Sequence, residues 1–311
     1  MMMPNKTQDL KPDHISVCIC TFQRPELLSK ALAEVTRQVT ESAFTFEVVM
    51  VDNNHWRSAE GTVRRFQSSN ELKVIYDCEP EQNIALARNR AIQNATGKFI
   101  AFMDDDEYPV KDWLSRLYHT MKEYKADGVL GPVLPSFPPE APQWLKKGNI
   151  FDRRRFPTGT RLTARDTRTG NVLLSRSILP EGSTWFDPAF GRTGGEDVDF
   201  FRKQMALDRV FVWCDEAEAY ETVTPERWRS SFHLKKSFRI GALNGENLRK
   251  SSFSGFIGLL KSIASVPVWS ITLFALFPFG KHLWITPTLK LAYSVSCILS
   301  YFGFSLKKNR D

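Results

Sequence analysis

Apolar segments of two different periodicities alternate through the first two thirds of the chain. Residues 15–20, 46–51 and 99–103 are continuous apolar runs of the kind that form buried strands. Between them, residues 25–38 and 83–94 carry apolar side chains at helical spacing. Strands that alternate with helices are typical of βαβ units around a mostly parallel sheet. The pattern therefore predicts an α/β fold.

The pattern changes beyond residue 225. Residues 225–252 are basic and carry interleaved aromatic side chains, and two apolar stretches follow at 253–279 and 283–304. Each stretch is long enough to cross a bilayer, but each contains a lysine and a proline, which are unfavourable there. We therefore expect four segments: a polar tail at 1–14, an α/β domain at 15–224, a basic amphipathic linker at 225–252, and an apolar membrane hairpin or membrane-surface helices at 253–311.

Composition narrows the class of protein. The chain has 311 residues, of which 42% are hydrophobic and 25% charged, so it is long and apolar enough for a substantial core. Its net charge of +7 favours an anionic partner, which leaves nucleic acid, an anionic membrane surface and a nucleotide open. The five cysteines include no CxxC pair, so we expect reduced thiols in a protein that faces the cytosol.

The strand at 99–103 is followed directly by four acids, Asp104 to Glu107. Carboxylates packed together repel one another and are costly to desolvate, so a solvated acidic turn is one interpretation. The other is a bound cation, because Mg²⁺ and similar ions take carboxylate oxygens together with substrate phosphates. Ligands of open α/β sheets bind beyond the carboxyl ends of the strands, which is where these acids lie.

Further polar residues follow the other predicted strands or begin helices. Thr21 and Arg24 follow the first strand and Asp52 the second, while Arg88 lies in the helix at 83–94. Glu196 and Asp197 begin a later helix behind two glycines. Two acids at a helix start are also ordinary complements of the helix dipole.

In this order, the motifs resemble those of the family 2 glycosyltransferases, which have the GT-A fold, a Rossmann-like α/β architecture. The resemblance covers roughly residues 15 to 215 and is greatest for the branch that makes bacterial exopolysaccharides. The strings that carry it are Cys20 to Leu27, Ala85 to Asn89, Val129 to Val133, and Gly194 to Phe201.

The resemblance implies roles for the residues at the strand ends. Asp106 would bind the metal directly, and Asp104 would lie near the ribose or the metal. Asp52 and Arg88 would hold the nucleobase end of the donor, and Thr21 and Arg24 would lie beside it. Asp105 would also contribute to donor binding.

Two further roles follow from the same resemblance. An inverting sugar transfer needs a general base for the acceptor hydroxyl, and Asp197 is the expected base, with Glu196 as the alternative. Some GT-A enzymes supply a late histidine to the metal, and His233 is the candidate here, although a lone histidine is also a common structural residue.

The expected function is an inverting, metal-dependent hexosyltransferase that uses Mn²⁺ or Mg²⁺. The donor would be a nucleotide diphosphate-sugar, in particular a UDP-sugar, and the acceptor a polyprenyl-diphosphate-linked oligosaccharide in bacterial polysaccharide biosynthesis. Residues 15–224 would be the GT-A catalytic domain, on the cytoplasmic face of the inner membrane, and anionic lipid would bind the C-terminal part. No nucleic acid is expected as a partner. Three alternatives are an inactive membrane-associated scaffold, a nucleic-acid-binding protein and a sugar nucleotidyltransferase; the last would need a glycine-rich signature where residues 21–24 stand.

Overall fold

The computed structural model describes residues 12–182, 184–192, 194–251 and 253–304. The chain divides into two compact units. The first unit extends to Leu134 and resumes over Arg153–Glu221, and the second comprises Pro135–Asp152 and the chain from Thr222 onward.

Strands and helices alternate through most of the first unit. In chain order the strands are β1 (Asp13–Thr21), β2 (Phe44–Asp52), β3 (Val74–Cys78), β4 (Phe99–Asp104), β5 (Glu107–Pro109), β6 (Gly128–Leu130), β7 (Val133–Ser136), β8 (Val172–Ser175), β9 (Phe211–Trp213) and β10 (Ala219–Thr222). The α-helices are α1 (Pro25–Val35), α2 (Glu60–Ser69), α3 (Ile84–Asn94), α4 (Trp113–Tyr124), α5 (Gln143–Lys147), α6 (Glu196–Ala206), α7 (Ser230–Lys250), α8 (Phe253–Leu276) and α9 (Lys281–Tyr301).

A seven-stranded sheet with the order β3-β2-β1-β4-β8-β6-β9 forms the centre of the first unit. Strand β8 runs antiparallel to β4 and β6, and the other pairs are parallel. The mostly parallel α/β fold expected from the sequence is therefore confirmed. In the register of the sheet, Thr21 lies opposite Asp52, and Cys20 lies opposite Asp104. The polar ends of β1, β2 and β4 consequently meet at one edge.

Each face of this sheet is covered by a separate apolar cluster. Ile15, Val17 and Ile19 of β1 face one side, where they pack in a cluster with α1 and α4. Cys18 faces the other side, where the cluster includes α3 and a group of buried aromatic side chains at Phe186, Phe200 and Phe201. The residues of β1 thus alternate between two cores, as the period of a strand requires.

Residues 128–136 form two short strands, β6 and β7, with Gly131 and Pro132 between them. The backbone at Gly131 lies so close to the Ala217 carbonyl and the Asn171 side chain that a β-carbon would have no space. Pro132 has no N–H for a ladder, and its carbonyl accepts hydrogen bonds from Asn171 Nδ2 and the Ala219 amide. The short strands β5 and β10 form a second sheet with β7 in the order β5-β10-β7, and they were not predicted.

The second unit contains α5 and the helices α7, α8 and α9. Most of the predicted linker is α7, a continuous helix of 21 residues. Within the described part of the chain, one helical segment, Phe253–Phe279, is long and apolar enough to cross a membrane. Residues 1–11 of the predicted polar tail and residues 305–311 of the predicted apolar segment lie outside the described residues.

A fully buried carboxylate links strands β1 and β2 to the loops that precede β3 and β4. Glu47 on β2 accepts hydrogen bonds from Ser16 Oγ at 2.9 Å, Thr96 Oγ1 at 2.7 Å and Lys73 Nζ at 2.6 Å. Burial alone would raise the pKa of Glu47, but the hydrogen bonds from Lys73, Thr96 and Ser16 outweigh burial and lower it to about 2. The ionised form is therefore the one that stabilises the fold.

We expect Glu47→Gln to lower the free energy of unfolding by roughly 2–3 kcal/mol at pH 7. Because the folded pKa lies below the unfolded one, this difference is present above the unfolded pKa of about 4.3 and is lost as the pH falls toward 2. Urea unfolding at several pH values measures it. Glu34→Gln, at an exposed pair with Arg37, is the control and should change stability by less than about 1 kcal/mol. A deficit for Glu47→Gln that is independent of pH would contradict this account.

Candidate active site

The acids that follow β4 lie in distinct environments. Asp105 is buried, and its oxygens accept hydrogen bonds from Thr21 Oγ1 at 2.8 Å and Arg24 Nη1 at 3.0 Å. Asp106 is also buried, with Oδ2 3.3 Å from Arg24 Nη1. The Asp104 side chain is 49% exposed. Asp104 is therefore the carboxylate of the three that is most open to a ligand.

Burial, together with the charge of Asp104, raises the pKa of Asp105 despite the opposing effects of Arg24 and Thr21. Both oxygens of Asp105 already accept hydrogen bonds from these two residues. Asp105 consequently links the ends of β1 and β4, and Thr21 and Arg24 are brought to the acidic edge as expected from the sequence.

Glu107 is a buried acid beneath this edge. Its Oε2 accepts a hydrogen bond from the Asp104 amide at 3.2 Å, and it lies opposite Glu221 in the β5–β10 pair. Burial and the charges of Asp104, Asp106 and Glu221 raise the pKa of Glu107 well above its usual range. A neutral Glu107 lowers the negative charge of the cluster. Its role was not inferred from the sequence, although its place after three aspartates was the available signal.

The backbone at Gly170 lies close to the carboxylates of Glu107 and Asp104. A β-carbon at Gly170 would lie 2.7 Å from Glu107 Oε1 and 3.2 Å from Asp104 Oδ2. Only glycine leaves this space free, because a contact below 3 Å is too close for a real side chain. Any other residue at 170 would displace the Glu107 carboxylate and crowd that of Asp104.

Arg88 connects the acidic edge to the start of α6. Asn83 caps α3 by accepting hydrogen bonds from the Ala85 and Leu86 amides, which fixes the helix that carries Arg88. The buried guanidinium places Nη1 2.6 Å from Glu196 Oε1 and Nη2 3.7 Å from Asp104 Oδ1. Burial alone would lower the pKa of Arg88, but the charges of Asp104 and Glu196 raise it.

The start of α6 presents two acids in different states. Glu196 is buried and paired with Arg88 through Oε1, whereas its Oε2 has no hydrogen-bond partner among the described residues. Asp197 is only partly buried, and Oδ1 accepts a hydrogen bond from the Val198 amide at 2.8 Å. Burial and the neighbouring charge of Glu196 raise the pKa of Asp197. A raised pKa makes a carboxylate a better proton acceptor near neutral pH.

Asp52 lies at the same edge of the sheet but is fully buried. It accepts hydrogen bonds from the Ala59 amide at 2.6 Å, the Ser58 hydroxyl at 3.3 Å and the Tyr76 hydroxyl at 3.2 Å. These contacts order the loop between β2 and α2. Burial and the Asp52 charge also raise the pKa of Tyr76.

His233 belongs to the second unit and lies near the start of α7. Its Nε2 is 2.7 Å from the Arg227 carbonyl, so Nε2 carries the proton and donates. Burial lowers the pKa of His233, which favours the neutral ring. Nδ1 is then the nitrogen that remains for a metal, and the metal role of His233 stays a prediction.

Two arginines near the acidic edge were not inferred from the sequence. Arg153 Nη2 is 2.8 Å from Glu221 Oε2, and the buried Arg168 Nε has no hydrogen-bond partner in the described part of the chain. Burial and the charge of Arg153 lower the pKa of Arg168 to about 10, while Glu107, Glu221 and Asp104 oppose this effect. The basic residues at 153–155 and 168 were visible in the sequence, but no strand end or helix start marked them.

Residues 12–182, 184–192, 194–251 and 253–304 contain no group of three histidine, cysteine or acidic side chains arranged to hold a metal ion. Asp104 and Asp106 nevertheless fit a cation that arrives with a diphosphate. Such ions are commonly bound by one or two carboxylates, with phosphate oxygens and water as the remaining ligands.

The fold and the site together define a glycosyltransferase of GT-A architecture, and comparisons with known proteins agree. Residues 16–181 match the family model described as glycosyl transferase family 2, and the chain belongs to this family. It is 33% identical to the succinoglycan biosynthesis protein ExoM of Rhizobium meliloti (strain 1021), over 80% of this chain and 78% of that protein. It is 26% identical to a GalNAc(5)-diNAcBac-PP-undecaprenol beta-1,3-glucosyltransferase of Campylobacter jejuni, over 73% and 63% of the two chains.

Solved structures show the same fold. The mannosyltransferase PcManGT of Pyrobaculum calidifontis, in complex with GDP-Man and Mn²⁺, aligns with a TM-score of 0.62 at 15% identity, over 95% of this chain and 88% of that chain. The S. aureus protein TarS (residues 1–349), in complex with UDP-GlcNAc, aligns with a TM-score of 0.50 at 20% identity, over 73% and 66%. The family and fold expected from the sequence are confirmed.

The buried pair between Arg88 and Glu196 should be strongly coupled. We expect Arg88→Met to lower the free energy of unfolding by about 3–5 kcal/mol, because it leaves Glu196 as a buried charge without its partner. The double variant Arg88→Met/Glu196→Leu should recover a large part of this loss. Urea unfolding of the two single variants and the double variant measures the coupling. Additive losses would contradict it.

Proposed function

We propose that this glycosyltransferase is metal-dependent and inverting, and that it transfers a hexose from a UDP-sugar to a lipid-linked oligosaccharide in bacterial polysaccharide biosynthesis. The observation that carries the proposal is the edge at which Asp104 lies 3.7 Å from Arg88, while Arg88 also pairs with Glu196 beside Asp197. The carboxylates that would bind the donor therefore lie beside those that would provide the general base, at one edge of the sheet.

Asp106 and Asp104 would hold Mn²⁺ or Mg²⁺, which would neutralise charge on the departing diphosphate. Thr21, Arg24 and Asp105 would form the floor beside the donor, since Thr21 and Arg24 both donate hydrogen bonds to Asp105. Asp52 and Arg88 would stay at the nucleobase end, and the additional cation Arg168 lies close enough to interact with Asp104. The likeness to structures in complex with UDP-GlcNAc and with GDP-Man supports a nucleotide-sugar donor.

Asp197 would act as the general base. The acceptor oxygen attacks the anomeric carbon on the face opposite the diphosphate, the bond to the phosphate oxygen breaks, and the diphosphate leaves with the electron pair. Asp197 takes the proton of the acceptor hydroxyl, which suits its partly buried side chain and raised pKa. Glu196 is held by Arg88 and would position Asp197 rather than accept the proton.

Two of the related proteins support the proposed acceptor and pathway. One is named for succinoglycan biosynthesis, and the other is named for a substrate that carries PP-undecaprenol. The apolar segment Phe253–Phe279 would bring this chain to such a lipid-linked acceptor. We place the catalytic unit at the cytoplasmic face of the inner membrane, where anionic lipid attracts the basic residues of α7.

Donor binding should depend on the metal and on Asp106. Calorimetric titration of the detergent-purified protein with UDP and UDP-sugars should show binding that Mn²⁺ strengthens. Asp106→Asn should lower this Mn²⁺-dependent affinity by about tenfold or more, because a direct ligand is lost. The matched control is Asp112→Asn, at a surface pair with Arg116 that lies outside the site, and it should bind like the unchanged protein.

Equal affinity for UDP with and without Mn²⁺ would exclude the metal part of the proposal. If a folded protein bound no UDP compound, the donor assignment would fail, and GDP- and dTDP-sugars would be titrated next.

Transfer should depend on Asp197 in a different way. Asp197→Asn should lower the transfer rate by roughly 100- to 10,000-fold and leave the donor dissociation constant nearly unchanged, because only proton removal is lost. Asp208→Asn is the matched control, since Asp208 is exposed and has a positive φ that asparagine also tolerates. Single-turnover transfer and donor titration separate the two effects. Near-normal transfer by Asp197→Asn would show that another group is the base.

A further inference from the structure

The outward surface of α8 is apolar along its length. Within Phe253–Phe279, the most apolar window has a mean hydropathy of 1.7, and only 6% of it is buried. Its exposed large side chains are Phe253, Phe256, Ile257, Leu260, Ile263, Val268, Ile271 and Phe274. A core helix of a soluble protein would bury these side chains, so this face requires an apolar partner.

The inward face of α8 carries small and polar residues. Of its buried residues, Gly255 and Ser262 are small, and Leu259 is the apolar one. Ser265 Oγ lies 2.7 Å from Ser294 Oγ of α9, and Ser262 Oγ lies 3.5 Å from the Cys297 sulfur. Polar groups inside and apolar groups outside are the reverse of a water-soluble helix and are typical of contact with lipid.

Helix α7 lies along α9 at close range and in the same direction. Gly241 lies on the backbone of Tyr293, and one turn later Gly245 lies on the backbone of Cys297, each too close for a β-carbon. Six charged residues lie on α7, namely Lys235, Lys236, Arg239, Glu246, Arg249 and Lys250. Wherever α9 is placed in a membrane, this charged helix must therefore accompany it.

The beginnings of α7 and α9 lie at the same end of the helical unit. The ring of His233, near the start of α7, contacts the rings of Trp144 and Phe151. Gly148, directly after α5, lies on His282 and Ile285 at the start of α9. The turn between α8 and α9 is at this end as well. A hairpin of α8 and α9 that crossed the bilayer would consequently carry α7 across with its six charges, which is strongly unfavourable.

We propose that the helical unit is a monotopic anchor that lies in the plane of one leaflet and does not cross the bilayer. The apolar face of α8 enters the acyl region, and α7 remains at the level of water and headgroups. Lys290, in the middle of α9, is exposed and also remains in water. The basic residues of α7 favour anionic headgroups. This inference specifies how the helical unit lies in the membrane, and it rests on the membrane localisation in the proposed function.

Cysteine labelling of the full chain in bacterial membranes tests the anchor. Lys290→Cys, Phe274→Cys and the reference Ser231→Cys each replace an exposed side chain. Spheroplasts and inverted vesicles are treated with a membrane-impermeant maleimide, and peptide mass spectrometry separates each site from the five native cysteines. Lys290→Cys should react on the same preparation as Ser231→Cys and at a comparable rate. Phe274→Cys should react at least about tenfold more slowly until detergent is added.

Two results would overturn the inference, and they differ in what else they affect. If Lys290→Cys is protected on both preparations as strongly as Phe274→Cys, α9 crosses the bilayer, and the membrane localisation stands without the in-plane anchor. If Phe274→Cys reacts as fast as Ser231→Cys without detergent, α8 does not contact lipid. That result removes the membrane part of the proposed function as well, and leaves the transfer chemistry untouched.

Discussion

A buried arginine holds the two halves of the candidate active site together. Arg88 lies 2.6 Å from Glu196 at the start of α6 and 3.7 Å from Asp104 at the end of β4. Because the pair with Glu196 is buried, a substitution that removes either partner leaves an unpaired charge in the interior. Arg88 and Glu196 are 108 residues apart in the chain, so the acids at the end of β4 and those at the start of α6 come together only when the sheet is complete.

The acids after β4 are tolerated because each has its own environment. Arg24 lies beside Asp105 and Asp106, burial raises the pKa of Glu107, and Asp104 is half exposed. The cluster thus carries less net negative charge than its sequence indicates, and its most accessible oxygens belong to Asp104. This distribution explains how an acidic edge stays folded alone and leaves Asp104 open to the proposed cation.

The sequence predicted the parallel half of the sheet well, because β1, β2 and β4 are long and their polar ends are distinct. The division at Gly131 and Pro132 involves contacts with Asn171 and Ala217, and the short strands β5 and β10 depend on pairing across the chain; no local pattern reveals either. The site residues at strand ends could be predicted, because register alone brings Thr21 to Asp52 and Cys20 to Asp104. The contributions of Glu107, Arg168 and Gly170 depend on burial and on tertiary contacts, and these could not be predicted.

The most direct measurement of the central claim is a crystal structure of the protein with UDP and Mn²⁺, with anomalous diffraction at the manganese edge. The account predicts an anomalous peak in contact with Asp106 or Asp104 and with the diphosphate oxygens, while Arg88 still bridges Asp104 and Glu196. A nucleotide bound away from the end of β4, or a manganese peak without either carboxylate, would contradict it.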